Sequence, residues 1–318
     1  MLLVRSLVVA VLIGAFAQGS GSYVLRAQET DDTVKIEIYK RFVNNRLGNP
    51  PVAYQAAREY LQKYPKDKDQ YTDYLQKYVM FYDRDERKRK LSSLINEKSF
   101  AEAYRTGEMI LADEPDYLRA QIDLAYAGYL AASAKDETYN TQALAYAGKA
   151  IQAIEAGKVP KQWAPFKDKN DTLAYLHYAV GFLKLKTNPE QTIDSLLKAA
   201  QFESDVKKMP STYYFLAAAY ETGPYKRMSA EFQNQYANKP ETTESKAALE
   251  KLNVVMDRII DAYARAIAAA ATEPKTEQMR REWLTRMSNY YKFRRGGSDA
   301  GIDEFIASAK ETPLPPRP

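Results

Sequence analysis

Residues 172–204 read TLAYLHYAVGFLKLKTNPEQTIDSLLKAAQFES, and their spacing decides the fold. Small and apolar side chains in this stretch recur at steps of three and four, the period of one face of an α-helix. Asn188-Pro189 interrupts it, since proline has no N–H to continue a helical ladder. In the second half Thr192, Leu196 and Ala199 share one face. The stretch reads as a helical hairpin whose apolar faces cannot be buried by the hairpin alone.

The same spacing continues on both sides, from Thr33 to Ala309. Leu249, Leu252, Met256, Ile259, Tyr263 and Ile267 form one helix face, and Tyr71, Tyr74, Tyr78 and Tyr82 form another. No long stretch alternates with period two, and no Asn-Gly or Asp-Gly hairpin signal occurs. Breaks fall at 48–51, Tyr64-Pro65, Glu114-Pro115, 158–160, Asn188-Pro189, Gly223-Pro224, Glu273-Pro274 and Gly296-Gly297. The expected fold is all-α, with short turns between helices.

A motif recurs along the chain: a small residue, a second residue four later, a third after three more, and often a proline five beyond that. It appears as Ala53, Ala57, Tyr60, Pro65, as Ala103, Gly107, Ile110, Pro115, and as Ala262, Ala266, Ala269, Pro274. A weaker copy is Gly301, Phe305, Ser308, Pro313. Ala143, Ala147, Ala150 and Thr192, Leu196, Ala199 lack the proline. Small side chains on one face let a neighbouring helix approach closely, and proline then stops the helix.

This helix resembles the second helix of a tetratricopeptide repeat. First-helix features accompany it: the aromatic, leucine, small, aromatic spacing of Tyr213, Leu216, Ala217 and Tyr220, the small residue Gly181, and Trp283 with Tyr290 seven later. The resemblance implies an α-α superhelix of stacked hairpins over 33–311. The family repeat is about 34 residues, whereas the small position recurs here at 53, 103, 143, 192, 262 and 301. Irregular insertions are therefore expected. An extra helix at 67–83 and a long connection at 223–243 are the visible ones. Residues 312–318, TPLPPRP, are expected to be an extended, disordered tail.

The beginning of the chain is of another kind. Residues 1–17, MLLVRSLVVAVLIGAFA, combine Arg5, an apolar run and Ala15-Phe16-Ala17, the pattern of a secretory signal peptide. Cleavage is expected after Ala17, with Ala27 as the alternative, and residues 18–32 are expected to form a flexible segment. The apolar run is too short to span a bilayer. The expected location is periplasmic or secreted, with no transmembrane segment after signal removal.

Composition narrows the chemistry. The 318 residues include no cysteine and one histidine, and carry a net charge of +5. Disulfides, thiol catalysis, thiolate metal sites and an N-terminal lipidated cysteine are excluded. His177 is expected as a packed side chain, because a transition-metal site needs further ligands. Carboxylates such as Asp113, Asp116, Asp299 and Asp303 sit at turns and first helical turns, where they cap. The run at 84–90, RDERKRK, reads as the solvated face of a helix, so no nucleic-acid partner is expected. No phosphate-binding glycine motif occurs. No cofactor, metal or catalytic residue is assigned.

Tyrosine is the informative residue, with 25 copies. The family register implies that Arg119, Ile122, Tyr126 and Tyr129 line the concave groove in one unit. Tyr175, Tyr178, Phe182 and Lys186 line it in the next, and Tyr214 in a third. A strip of rings suits a protein or peptide partner, since tyrosine joins a large apolar face to a hydroxyl. The resemblance implies a non-enzymatic scaffold of that kind. The competing readings are a structural component of a cell-envelope assembly and an α/α glycan-binding or glycoside-processing protein with paired carboxylates in a groove.

Overall fold

The computed structural model describes residues 22–270 and 274–318. Every regular element among them is helical. The export pattern at 1–17 lies outside the described residues. The described residues fall into two compact units, one ending at Glu86 and the other beginning at Arg87.

The first unit holds α1 (Ser22–Asn45), α2 (Pro50–Lys63) and the start of α3 (Gln70–Asn96). Part of the segment expected to be flexible, 22–32, is thus helical. Ile38 and Phe42 of α1 pack with Ala53, Ala57 and Tyr60 of α2 and Leu75 of α3. The tyrosine stripe of α3 faces these helices: Tyr71 meets Tyr39 edge-on at 4.9 Å, Tyr78 meets Phe42 at 4.9 Å, and Tyr82 stacks on Tyr54 at 4.3 Å.

Helix α3 explains the division. No side chain from 76 to 90 is buried, whereas Leu91, Leu94 and Ile95 are. Within the second unit Arg87 pairs with Asp113 and Lys88 with Glu114. Such part-exposed pairs contribute little, about 0–1 kcal/mol each.

The second unit continues with α4 (Phe100–Asp113), α5 (Leu118–Ser133), α6 (Asn140–Glu155), α7 (Lys169–Lys184), α8 (Pro189–Gln201) and α9 (Pro210–Tyr220). Then come α10 (Lys226–Tyr236), α11 (Thr243–Ala269), α12 (Pro274–Arg294) and α13 (Ile302–Ser308). Neighbours in sequence pair in space from α4 to α9, α11 packs on both α9 and α12, and α5 also touches α7. Prolines start α8, α9 and α12. Asp168 and Asn188 cap α7 and α8 through the backbone N–H groups of Asp171 and Gln191.

Small residues lie at the helix contacts. Ala103, Ala143, Ala147, Ala150, Thr192, Leu196, Ala199, Ala262 and Ala266 are all buried. A Cβ built on Gly181 would stand 2.7 Å from Leu196 Cγ, and one on Gly107 2.6 Å from Leu124 Cδ2. Across the first contact Thr192 Oγ1 donates to the Gly181 carbonyl at 3.0 Å. That carbonyl is one of the four left open at the end of α7. The weak copy at 301–308 departs from the pattern: Gly301 and Ser308 are exposed, and Gly301 serves as a turn with φ 82°.

Two expectations need correction. The connection at 223–243 is mostly helical: α9 runs through a π-turn, Glu221–Tyr225, directly into α10. The wider π-turn accommodates Pro224, which an α-helix would reject. The tail at 312–318 is extended, as its prolines require, but it is docked. Arg265 Nη2 donates to the Pro313 carbonyl at 2.9 Å, and Arg317 pairs with Glu190 and Asp194 of α8.

Candidate functional site

Aromatic residues at helical spacing on α5, α7, α9 and α12 meet in one continuous series. Tyr126 and Tyr129 lie 6.2 Å apart on α5. Tyr129 meets Phe182 of α7 edge-on at 5.4 Å, and Phe182 meets Phe215 of α9 at 5.2 Å. Phe215 adjoins Tyr214, which stacks on Trp283 of α12 at 5.2 Å. Tyr175 joins from the side, 6.4 Å from Tyr126. Phe166, from the long connection between α6 and α7, closes that end against both rings. Most of these rings are half-buried, and Trp283 is buried. Each such pair contributes about 0.5–1.5 kcal/mol beyond its buried area. The series therefore joins the helices while leaving part of most rings uncovered.

Three of these tyrosine hydroxyls stay neutral. Burial raises the pKa of Tyr126, Tyr129 and Tyr175 above the ordinary phenol value. Their O–H groups thus remain hydrogen-bond donors throughout the physiological range.

The nine residues of the expected groove separate into two groups. Tyr126, Tyr129, Tyr175, Phe182 and Tyr214 belong to the half-open series. Ile122 and Tyr178 are each 2% exposed and belong to the interior. Arg119 is engaged by the protein itself. Its Nε donates to Asp123 at 2.8 Å, Nη2 to Ser92 Oγ at 3.3 Å, and Nη1 to the Gln162 carbonyl at 3.4 Å. Lys186 is exposed and pairs with Glu137 at 2.6 Å.

Sequence spacing missed Phe215 and the group at the far end of the series. Glu221, the first residue of the π-turn, accepts from Tyr263 Oη at 2.9 Å and from Arg286 Nη1 at 3.4 Å. Tyr225 and Tyr290 meet edge-on at 5.2 Å beside it. The readable signal was the Trp283–Tyr290 interval; the π-turn carries none, because Gly223-Pro224 reads as a break.

Other chemistry is occupied structurally. His177 is buried and stacks on Phe202, and burial lowers its pKa to about 4. Asp123 is held by Arg119, yet burial pushes its carboxyl up to about 6. Asp171 accepts the Lys167 backbone N–H at 3.0 Å. No cluster of metal-ligating side chains occurs among the described residues, and no helix among them is long and apolar enough to cross a membrane.

The fold and site define an all-helical protein of paired helices with an aromatic series across them. No protein family, characterised protein or solved structure matches the chain.

Proposed function

We propose that this protein is an exported, tetratricopeptide-like scaffold that holds an extended segment of a protein partner against the rings of α5, α7, α9 and α12. In this reading those four helices line the concave side of a superhelix, and α6, α8 and α11 form its outer layer. The carrying observation is the unbroken series Tyr126, Tyr129, Phe182, Phe215, Tyr214, in which each ring touches the next and none is fully covered. A partner chain laid across several helices could follow this series, meeting the uncovered part of each ring. The hydrophobic leader at 1–17 supports export, and the tight Gly181–Leu196 contact supports repeat-type stacking.

The test is capture from cell-envelope fractions with the full chain as bait. Phe182→Ser and Tyr175→Ser should lose a partner that the unaltered chain retains, with the helical circular dichroism unchanged. Retention by both variants would place recognition elsewhere. N-terminal sequencing of the mature protein tests the export step, with Gln18 expected first.

A further inference from the structure

Residues 312–318 lie along α8 and α11, held through three backbone carbonyls, the Thr312 hydroxyl and the Leu314 and Arg317 side chains. Proline has no backbone N–H, so this strand offers a carbonyl at every residue but an N–H only at Thr312, Leu314 and Arg317. The surface beneath offers donors. Arg265 Nη1 donates to the Thr312 carbonyl at 3.1 Å and Nη2 to the Pro313 carbonyl at 2.9 Å. Arg258 Nε donates to the Pro316 carbonyl at 2.9 Å. Arg265 is itself only 5% exposed and is oriented by Asp261, which accepts from Nε at 2.8 Å and Nη2 at 3.2 Å.

The register fits as well. Arg258 and Arg265 are seven residues apart on α11, roughly 10 Å along the axis. Pro313 and Pro316 are three apart, about 9 Å in a polyproline II helix, which is one full turn. Two turns of α-helix would thus match one turn of a polyproline II strand. Side chains add selectivity: Leu314 packs on the buried cluster of α8, α9 and α11, and Arg317 Nη1 reaches Asp194 at 2.6 Å. The strand does not fill the space. A cleft of about 810 Å³ beside Tyr213, Arg265 and Leu314, and another of about 410 Å³ beside Tyr220, Val255 and Arg317, flank it.

We propose that the α8–α11 surface is a binding site for proline-rich, arginine-bearing peptide segments in the polyproline II form, and that residues 312–318 occupy it as an intramolecular competitor. The site uses none of the aromatic series and is independent of the function proposed above. A tethered strand competes at an effective concentration of about millimolar, so an external segment gains access when the tail's own anchors weaken.

The experiment uses the full chain and a fluorescein-labelled peptide, TPLPPRP, followed by anisotropy. Leu314→Ala/Arg317→Ala removes the tail's side-chain anchors without touching the surface below. This variant should bind the peptide at least about tenfold more tightly than the unaltered chain. Adding Glu190→Gln/Asp194→Asn should reverse the gain, and those two changes should not affect a peptide with alanine in place of its arginine. Binding no tighter than to the unaltered chain, or equal binding of a scrambled peptide, would overturn the proposal. Arg317→Ala alone, at an exposed position, is the second variant should the double change perturb folding, and the same outcomes apply to it.

Discussion

The Tyr178 hydroxyl donates to Ser211 Oγ at 2.9 Å, which places that ring in the interior between α7 and α9. Phe182 follows one turn later on α7 and stays half-open. Two residues on one helix face thus have different tasks. Tyr178→Ala should destabilise the second unit by about 3–5 kcal/mol, the range for a buried aromatic. Phe182→Ala should cost clearly less. Trp163 and Trp283 both lie in the second unit, so tryptophan fluorescence in urea reports it alone. Equal losses in the two variants would place Phe182 in the core as well.

Gly181 has no room for a side chain beside Leu196. Gly181→Ala should lower stability by about 1–3 kcal/mol through overpacking. Leu196→Ala should be less costly in the Gly181→Ala background than alone, because the new methyl occupies part of its cavity. A double-mutant cycle should therefore show coupling of about 0.5–3 kcal/mol. Strict additivity would mean that the two helices are not in contact there.

His177 carries a pH signature. Its folded pKa of about 4 lies below the ordinary value of 6.5 because burial disfavours the cation. The unfolded chain therefore takes up a proton first as pH falls. The stability contributed by the neutral ring is complete above pH ~6.5 and is lost towards pH ~4, a change of up to about 3 kcal/mol. His177→Phe keeps a ring against Phe202 and removes this term. The unaltered chain should lose stability relative to that variant between those pH values, measured by urea unfolding. Asp123 and other carboxyls titrate in both proteins, so the difference isolates the histidine. A constant difference across the window would refute the assignment.

Arg119 ties α5 to Ser92 of α3 and to the connection before α7. Arg119→Ala leaves Asp123 buried without its cation and should cost about 3–5 kcal/mol. Arg119→Ala/Asp123→Ala should recover part of that loss, since no unpaired charge remains. A single-variant loss below about 1 kcal/mol would restore Arg119 to the role of a surface contact.

Much of the fold was legible because helices declare themselves locally. The three-and-four spacing of Thr192, Leu196 and Ala199 predicts the buried face of α8, and Asn188-Pro189 predicts its start. Turns without glycine or proline were not legible. Lys98 and Lys135 adopt the left-handed conformation that Gly157 adopts after α6, with φ of 59°, 71° and 90°. Only glycine advertises that backbone state, since a lysine reaches it when neighbouring hydrogen bonds demand it.

Which aromatic ring faces a groove, and what holds the tail, depended on contacts between helices distant in sequence. Helical period assigns Tyr178 and Phe182 to the same stripe, and Tyr129 and Phe215 touch both rings; the bond to Ser211 and the burial around Tyr178 separate them. The tail's composition dictates an extended strand, while Arg258 and Arg265, more than fifty and forty residues earlier, decide where it lies. Amino-acid order therefore determined the rods and their apolar faces, because those follow from backbone geometry within a few residues. The partners of each face were decided by tertiary packing, where side chains separated along the chain compete for the same space.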